Sequence, residues 1–166
     1  MTPQAPRLFD DGEAESAVDP LEARKKAMDY LARREYGRRE LCAKLVSGGF
    51  DEKTALSAVG QLALAGLQDD RRFVDSFIQS RVHQGKGPVR LRLELARRGV
   101  DGSLVEQVLE DRHDDWGALA RNVRRRKFGA NVPDDFREKA RQMRFLQYRG
   151  FEPDQIQAAI SRDAND

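Results

Sequence analysis

The chain has 166 residues, more than a third of them charged, with few aromatics and a formal net charge of only +2. No stretch approaches the roughly 18 consecutive apolar residues that a membrane span needs, and the lone Cys42 excludes an intrachain disulfide framework. Such a composition suits thin amphipathic helices with much exposed face rather than a large catalytic core.

In chain order, residues 1–18 are an acidic leader: Asp10, Asp11, Glu13 and Glu15, with Asp19 just beyond, oppose the single Arg7. This stretch has no periodicity and is expected to be disordered. Asp19-Pro20-Leu21-Glu22 supplies a cap, a first-turn proline and an acid, so a helix is predicted over 20–36 with Ala27, Met28, Tyr30 and Leu31 facing inward. Helices over 38–47 and 52–65 follow, and Cys42 is expected to be a small buried residue. Asp69-Asp70 starts a helix over 70–84 carrying Phe73, Phe77 and Ile78; Gly85-Lys86-Gly87-Pro88 turns the chain into helices over 88–98 and 103–111. Asp114-Asp115 opens a third group, with Trp116, Leu119, Ala120 and Val123 inward on a helix over 115–127. A helix over 134–149 is predicted to bury Phe136, Ala140, Met143 and Leu146, and one over 153–160 closes the series before a polar tail, 161–166.

The groups are copies of one unit. Glycine, an apolar residue and an acid recur at Gly49-Phe50-Asp51, Gly99-Val100-Asp101 and Gly150-Phe151-Glu152, at offsets of 50 and 51 residues. Four residues before each glycine stands a leucine: Leu45, Leu95 and Leu146. The glycine is suited to the left-handed conformation that ends a helix, and the acid to capping the next. The fold class is therefore all-α: three tandem three-helix repeats, 19–68, 69–113 and 114–160, in an elongated array. Units this small are expected to bury apolar faces against their neighbours. The third copy deviates, because Gln142 stands where Leu41 and Leu91 stand in the others.

No nucleophile, base or metal set emerges. His83 and His113 read as solvated loop residues, the turn at 85–88 lacks the Gly-x-x-x-x-Gly-Lys-Ser/Thr pattern, and the paired acids read as helix caps. The basic residues are different. Between Trp116 and Arg149 stand ten Arg or Lys against three acids, a local net of +7. They include Arg121, Arg124, Arg125, Arg126 and Lys127, and a stripe of Arg137, Arg141, Arg144 and Tyr148 at helical spacing. Arg90, Arg92, Arg97 and Arg98, with Lys86 nearby, form a weaker cluster. Such density points to an anionic partner; the tyrosine is placed to stack on a base or an aromatic side chain.

The segment Asp69-Asp70-Arg71-Arg72-Phe73-Val74, then Phe77-Ile78, Arg81, Gly85-Lys86-Gly87-Pro88, Arg90, Arg92, Glu94-Leu95 and Gly99 resembles the central signature of the RecX family of bacterial recombination regulators. Asp115-Trp116, Arg126-Lys127-Phe128-Gly129, Arg144-Phe145-Leu146 and Tyr148-Arg149-Gly150-Phe151 agree with it, and the likeness covers roughly 22–160. The resemblance implies a curved array without enzymatic activity or cofactor, acting in the cytoplasm as a monomer. It implies binding to the RecA filament on single-stranded DNA, with double-stranded DNA a further partner, and inhibition of ATP hydrolysis, strand exchange and co-protease activity. Arg71, Arg72, Arg81, Lys86 and the third-repeat basics become contact candidates, although Arg72 and Arg81 also suit a structural role between repeats. The competing reading is a helical protein that binds DNA non-specifically through the same basic faces.

Overall fold

The computed structural model describes residues 19–162, which form nine α-helices and no strand. They are α1 (Pro20–Arg33), α2 (Arg38–Ser47), α3 (Glu52–Leu64), α4 (Asp70–His83), α5 (Pro88–Arg97), α6 (Gly102–Arg112), α7 (Trp116–Phe128), α8 (Phe136–Tyr148) and α9 (Pro153–Ile160). The expected leader, 1–18, and most of the polar tail lie outside the described residues. In each repeat the first helix packs on the third, and the second closes the unit.

Local chemistry explains the boundaries. Side chains of Asp19, Asp69 and Asp115 accept from backbone N–H groups at the starts of α1, α4 and α7, and those of Asp51 and Asp101 do so at α3 and α6. The three repeat glycines hold φ of +103°, +75° and +94°, the left-handed region that L side chains resist. Phe50, Val100 and Phe151 follow them, and each N–H returns to the carbonyl of Leu45, Leu95 or Leu146. One boundary differs from expectation: α1 stops at Arg33, and Tyr36 is buried beyond the helix rather than within it.

The second helices reveal how repeats join. Neither α2 nor α5 has a side-chain cap of its own, since each starts after a glycine, Gly37 or Gly87. The neighbouring repeat satisfies their exposed N–H groups. Arg38 N–H donates to Asp70 Oδ1 at 2.7 Å, while Gly87 and Val89 N–H donate to the carbonyls of Arg149 and Gly150 at 2.9 Å each. The third repeat differs, because α8 is capped from within by Asp135. Helix ends thus meet end to end: the N-terminus of α5 abuts the C-terminus of α8, where peptide dipoles are complementary.

Apolar burial is organised differently from expectation. Three separate clusters form, one per repeat, centred on Leu41 and Leu45, on Leu91 and Leu95, and on Leu146 with Phe151. Junctions are made chiefly of backbone hydrogen bonds and ion pairs, with apolar crossings at Trp116, packed on the second cluster, at Phe73 against Gly37 and at Val123 against Gly85. Three predicted inward positions turn outward: Phe136 is 83 % exposed, and Met28 and Met143 are also exposed. Residue 136 belongs to the first turn of α8, where no neighbouring helix lies over it, and α1 is buried through the small Ala23 and Ala27 instead of Met28. Cys42 is half-buried, with burial raising its thiol pKa.

Candidate anion-binding interface

The basic residues of the second repeat are largely engaged within the molecule. Arg72 donates to Glu35 at 2.8 Å and to the carbonyls of Gly66 and Leu67, bracing the first junction. Arg71 pairs with Asp111, and Arg98 lies 3.9 Å from Glu40 with its guanidinium over the Phe77 ring. Arg92 bridges Glu106 at 2.6 Å and Glu152 at 2.7 Å, tying repeat 2 to repeat 3.

Arg81, Lys86 and Arg90 converge on one carboxylate, that of Glu94, at 3.0, 3.4 and 3.7 Å. Burial alone would raise the Glu94 pKa, but the Arg81 hydrogen bond and the Lys86 and Arg81 charges outweigh it and hold the carboxyl below its ordinary range. A depressed carboxyl pKa stabilises the fold above the unfolded value, and that stability is lost as pH falls through the folded value. Glu94→Gln is therefore expected to cost about 1–2 kcal/mol at pH 7. Thermal melts should show the gap between variant and parent closing below about pH 4.

In the third repeat α7 distributes its basic run by helical geometry. Successive side chains are about 100° apart, so Arg124, Arg125 and Arg126 point three ways. Arg124 points inward and is 1 % exposed. Its guanidinium donates to the carbonyls of Ala159 (2.9 Å), Ala130 (3.3 Å), Asn131 (3.3 Å) and Gly129 (3.4 Å), and to Gln142 Oε1 at 3.4 Å. Arg124 is thus corrected from a surface contact to a core residue, and Gln142, 3 % exposed, is its partner in place of the leucine of the other repeats. Desolvation lowers its pKa, with Arg125 and Arg121 adding to the effect.

Arg125 faces a polar cleft of about 410 Å³ shared with Arg121 and Arg162, in which Arg121 donates to the Ala158 carbonyl. Arg126 and Lys127 face a second cleft, about 380 Å³, between repeats 2 and 3. On α8, Arg141 is held by Glu138 at 3.0 Å and lies over the Phe128 ring, while Arg137 and Arg144 extend into solvent. Tyr148 is 76 % exposed, and Arg90 approaches its ring at 5.6 Å. Arg97, on α5, lines a shallow groove with Tyr148. Among the described residues Arg97, Arg125, Arg126, Lys127, Arg137 and Arg144 carry no ion pair. Arg149, placed by the sequence in the basic run without a partner of its own, reaches the Gln84 carbonyl with its guanidinium (3.1 Å) and covers the Phe145 ring (5.3 Å).

No set of three or more His, Cys, Asp or Glu side chains that could hold a metal occurs among the described residues, and none of their helices is long and apolar enough to cross a membrane. Fold and surface together define a tandem three-helix repeat protein with a charged surface on its third repeat. Family profiles for the first, second and third three-helix domains of RecX match residues 23–62, 69–109 and 114–160. The regulatory protein RecX of Halorhodospira halophila (strain DSM 244 / SL1) is 47 % identical over 154 residues, 93 % of this chain and 92 % of that protein. That of Pseudomonas entomophila (strain L48) is 43 % identical over 148 residues, 89 % and 96 % of the two chains. The crystal structure of RecX from Lactobacillus salivarius superposes with a TM-score of 0.71 at 21 % identity, covering 85 % of this chain and 94 % of that one. The chain belongs to the RecX family, whose members are regulatory proteins and not enzymes.

Proposed function

We propose that the protein binds the RecA recombinase filament on single-stranded DNA in the cytoplasm and restrains its ATPase, strand-exchange and co-protease activities, thereby modulating recombination, DNA repair and the SOS response. The observation that carries this reading is the division of labour among the cations. Most cations of repeat 2 are tied to internal acids, whereas Arg125, Arg126, Lys127, Arg137 and Arg144 of repeat 3 have no internal ion pair. Unpaired guanidinium groups on a repetitive scaffold suit a polymeric partner that presents acidic side chains and phosphates at intervals.

The test is RecA's DNA-dependent ATPase with an Arg137→Ala/Arg144→Ala double variant. Both residues are exposed and unpaired, so circular dichroism and melting should match the parent. Two lost charge contacts of about 1 kcal/mol each predict roughly a tenfold rise or more in the concentration for half-inhibition. A folded variant that inhibits as well as the parent overturns the assignment. The same cations would also bind bare phosphates, which supports the second reading, a general DNA-binding protein. Equal losses on naked DNA and on filaments favour that reading; a loss confined to filaments favours the regulator.

A further inference from the structure

The cleft between repeats 2 and 3 is built from unlike parts. One wall is the end of α4 and its turn, Val82 to Gly85; the other is formed by α7 and α8 through Leu119, Val123 and Phe145. Arg126 and Lys127 line it without a carboxylate partner among the described residues, the Lys127 ammonium lying 5.7 Å from the centre of the Phe145 ring. Arg149 is fixed within it, held by the Gln84 carbonyl on one side and laid over the Phe145 ring, whose edge is in turn packed by Phe128 at 5.2 Å. The walls interlock, because Val123 sits where a side chain at Gly85 would otherwise be, 2.8 Å from an ideal Cβ.

We infer that this cleft seats one nucleotide of a single-stranded nucleic acid, its base against the Arg149–Phe145 stack and the apolar wall, its phosphates on Arg126 and Lys127. Three features select this ligand over an acidic peptide. The cations surround an apolar floor, which a carboxylate side chain would leave unused and a base would cover. Asn122 and His83 add hydrogen-bonding groups in the same cleft, of the kind that meet a base edge. At about 380 Å³ the space is at the small end of ligand sites, enough for one unstacked base and too small for a duplex. The neighbouring cleft with Arg125 lies on the other flank of α7 and offers the strand a further phosphate contact.

The inference deepens the filament reading by naming the face that meets DNA, yet it is measured without RecA, so the two fail separately. The experiment is fluorescence anisotropy of the full chain with an oligothymidylate, an abasic strand of equal length and polyglutamate, across a salt series. Arg126→Gln/Lys127→Gln is expected to keep the parent's circular dichroism, to bind oligothymidylate at least tenfold more weakly, and to lose roughly 1.4 from the salt slope. The parent is expected to bind the abasic strand several-fold more weakly than oligothymidylate, and polyglutamate binding should be unchanged in the variant. Equal affinity of parent and variant for oligothymidylate overturns the site. Equal affinity of the parent for abasic and base-bearing strands removes the base seat and overturns it likewise. A loss on polyglutamate with oligothymidylate retained would assign the cleft to an acidic protein segment instead. Loss of ATPase inhibition by the Arg137/Arg144 variant has no bearing on these outcomes.

Discussion

Replacing Arg124 by methionine is expected to cost at least about 3 kcal/mol. The side chain is buried, and removal of its guanidinium strips hydrogen bonds from four carbonyls and from Gln142. A buried polar group left without a partner costs about 1–3 kcal/mol, and several are exposed to that loss at once. The damage should be local in origin: amide exchange is expected to rise around residues 129–131, whose carbonyls the guanidinium holds, and at the end of α9 through Ala159. Adding Gln142→Leu restores the residue type that Leu41 and Leu91 supply in the other repeats, and should recover part of the stability, because an apolar pair of fitting volume substitutes well for a buried polar one. Chemical denaturation of the two variants checks both statements. An Arg124→Met protein as stable as the parent would show that the carbonyls find water instead.

Gly150→Ala is expected to be as severe for a different reason. The residue holds φ +94°, which already costs an alanine about 1–2 kcal/mol, and an added Cβ would lie 2.7 Å from the Arg90 backbone nitrogen. Backbone cannot swing aside as a flexible side chain does. The first turn of α5 must retreat, and with it go the hydrogen bonds from Gly87 and Val89 N–H to the carbonyls of Arg149 and Gly150. The expected loss is about 3 kcal/mol or more, a fall in Tm of roughly 6–12 °C. Gly49→Ala is the control. It has a similar φ, +103°, with nothing within 4 Å of the added carbon, so only the conformational cost of about 1–2 kcal/mol applies. Comparable Tm values for the two variants would refute the close approach of repeats 2 and 3.

Several features of this chain were legible without coordinates. Aspartates at 19, 51, 69, 101 and 115 mark helix starts because a short carboxylate caps the N–H groups two or three residues onward, an interaction confined to neighbours in sequence. Gly49, Gly99 and Gly150 mark the stops for an equally local reason. Faces were harder to read. On α8 the expected inward stripe of Phe136, Ala140, Met143 and Leu146 holds at Leu146, which is fully buried, whereas Phe136 and Met143 are exposed and Gln142 is the second buried residue. A helix so rich in charge offers no dominant stripe, and its orientation follows from what α7 presents to it. Since α7 presents the Arg124 guanidinium, the amide of Gln142 turns inward to meet it.

The candidate interface divides in the same way. Its position in repeat 3 follows from the number of basic residues between 116 and 149, which composition alone supplies. Which of the chain's cations remain available is decided by partners distant in the chain: Arg72 meets Glu35, Arg92 meets Glu152, and Arg149 meets the Gln84 carbonyl. Local sequence determined the helices, the repeat and the family, because caps, turns and periodic stripes act over a few residues. Only the tertiary structure decided the fate of each cation, because an ion pair forms wherever folding brings opposite charges within 4 Å, at a separation no spacing rule encodes.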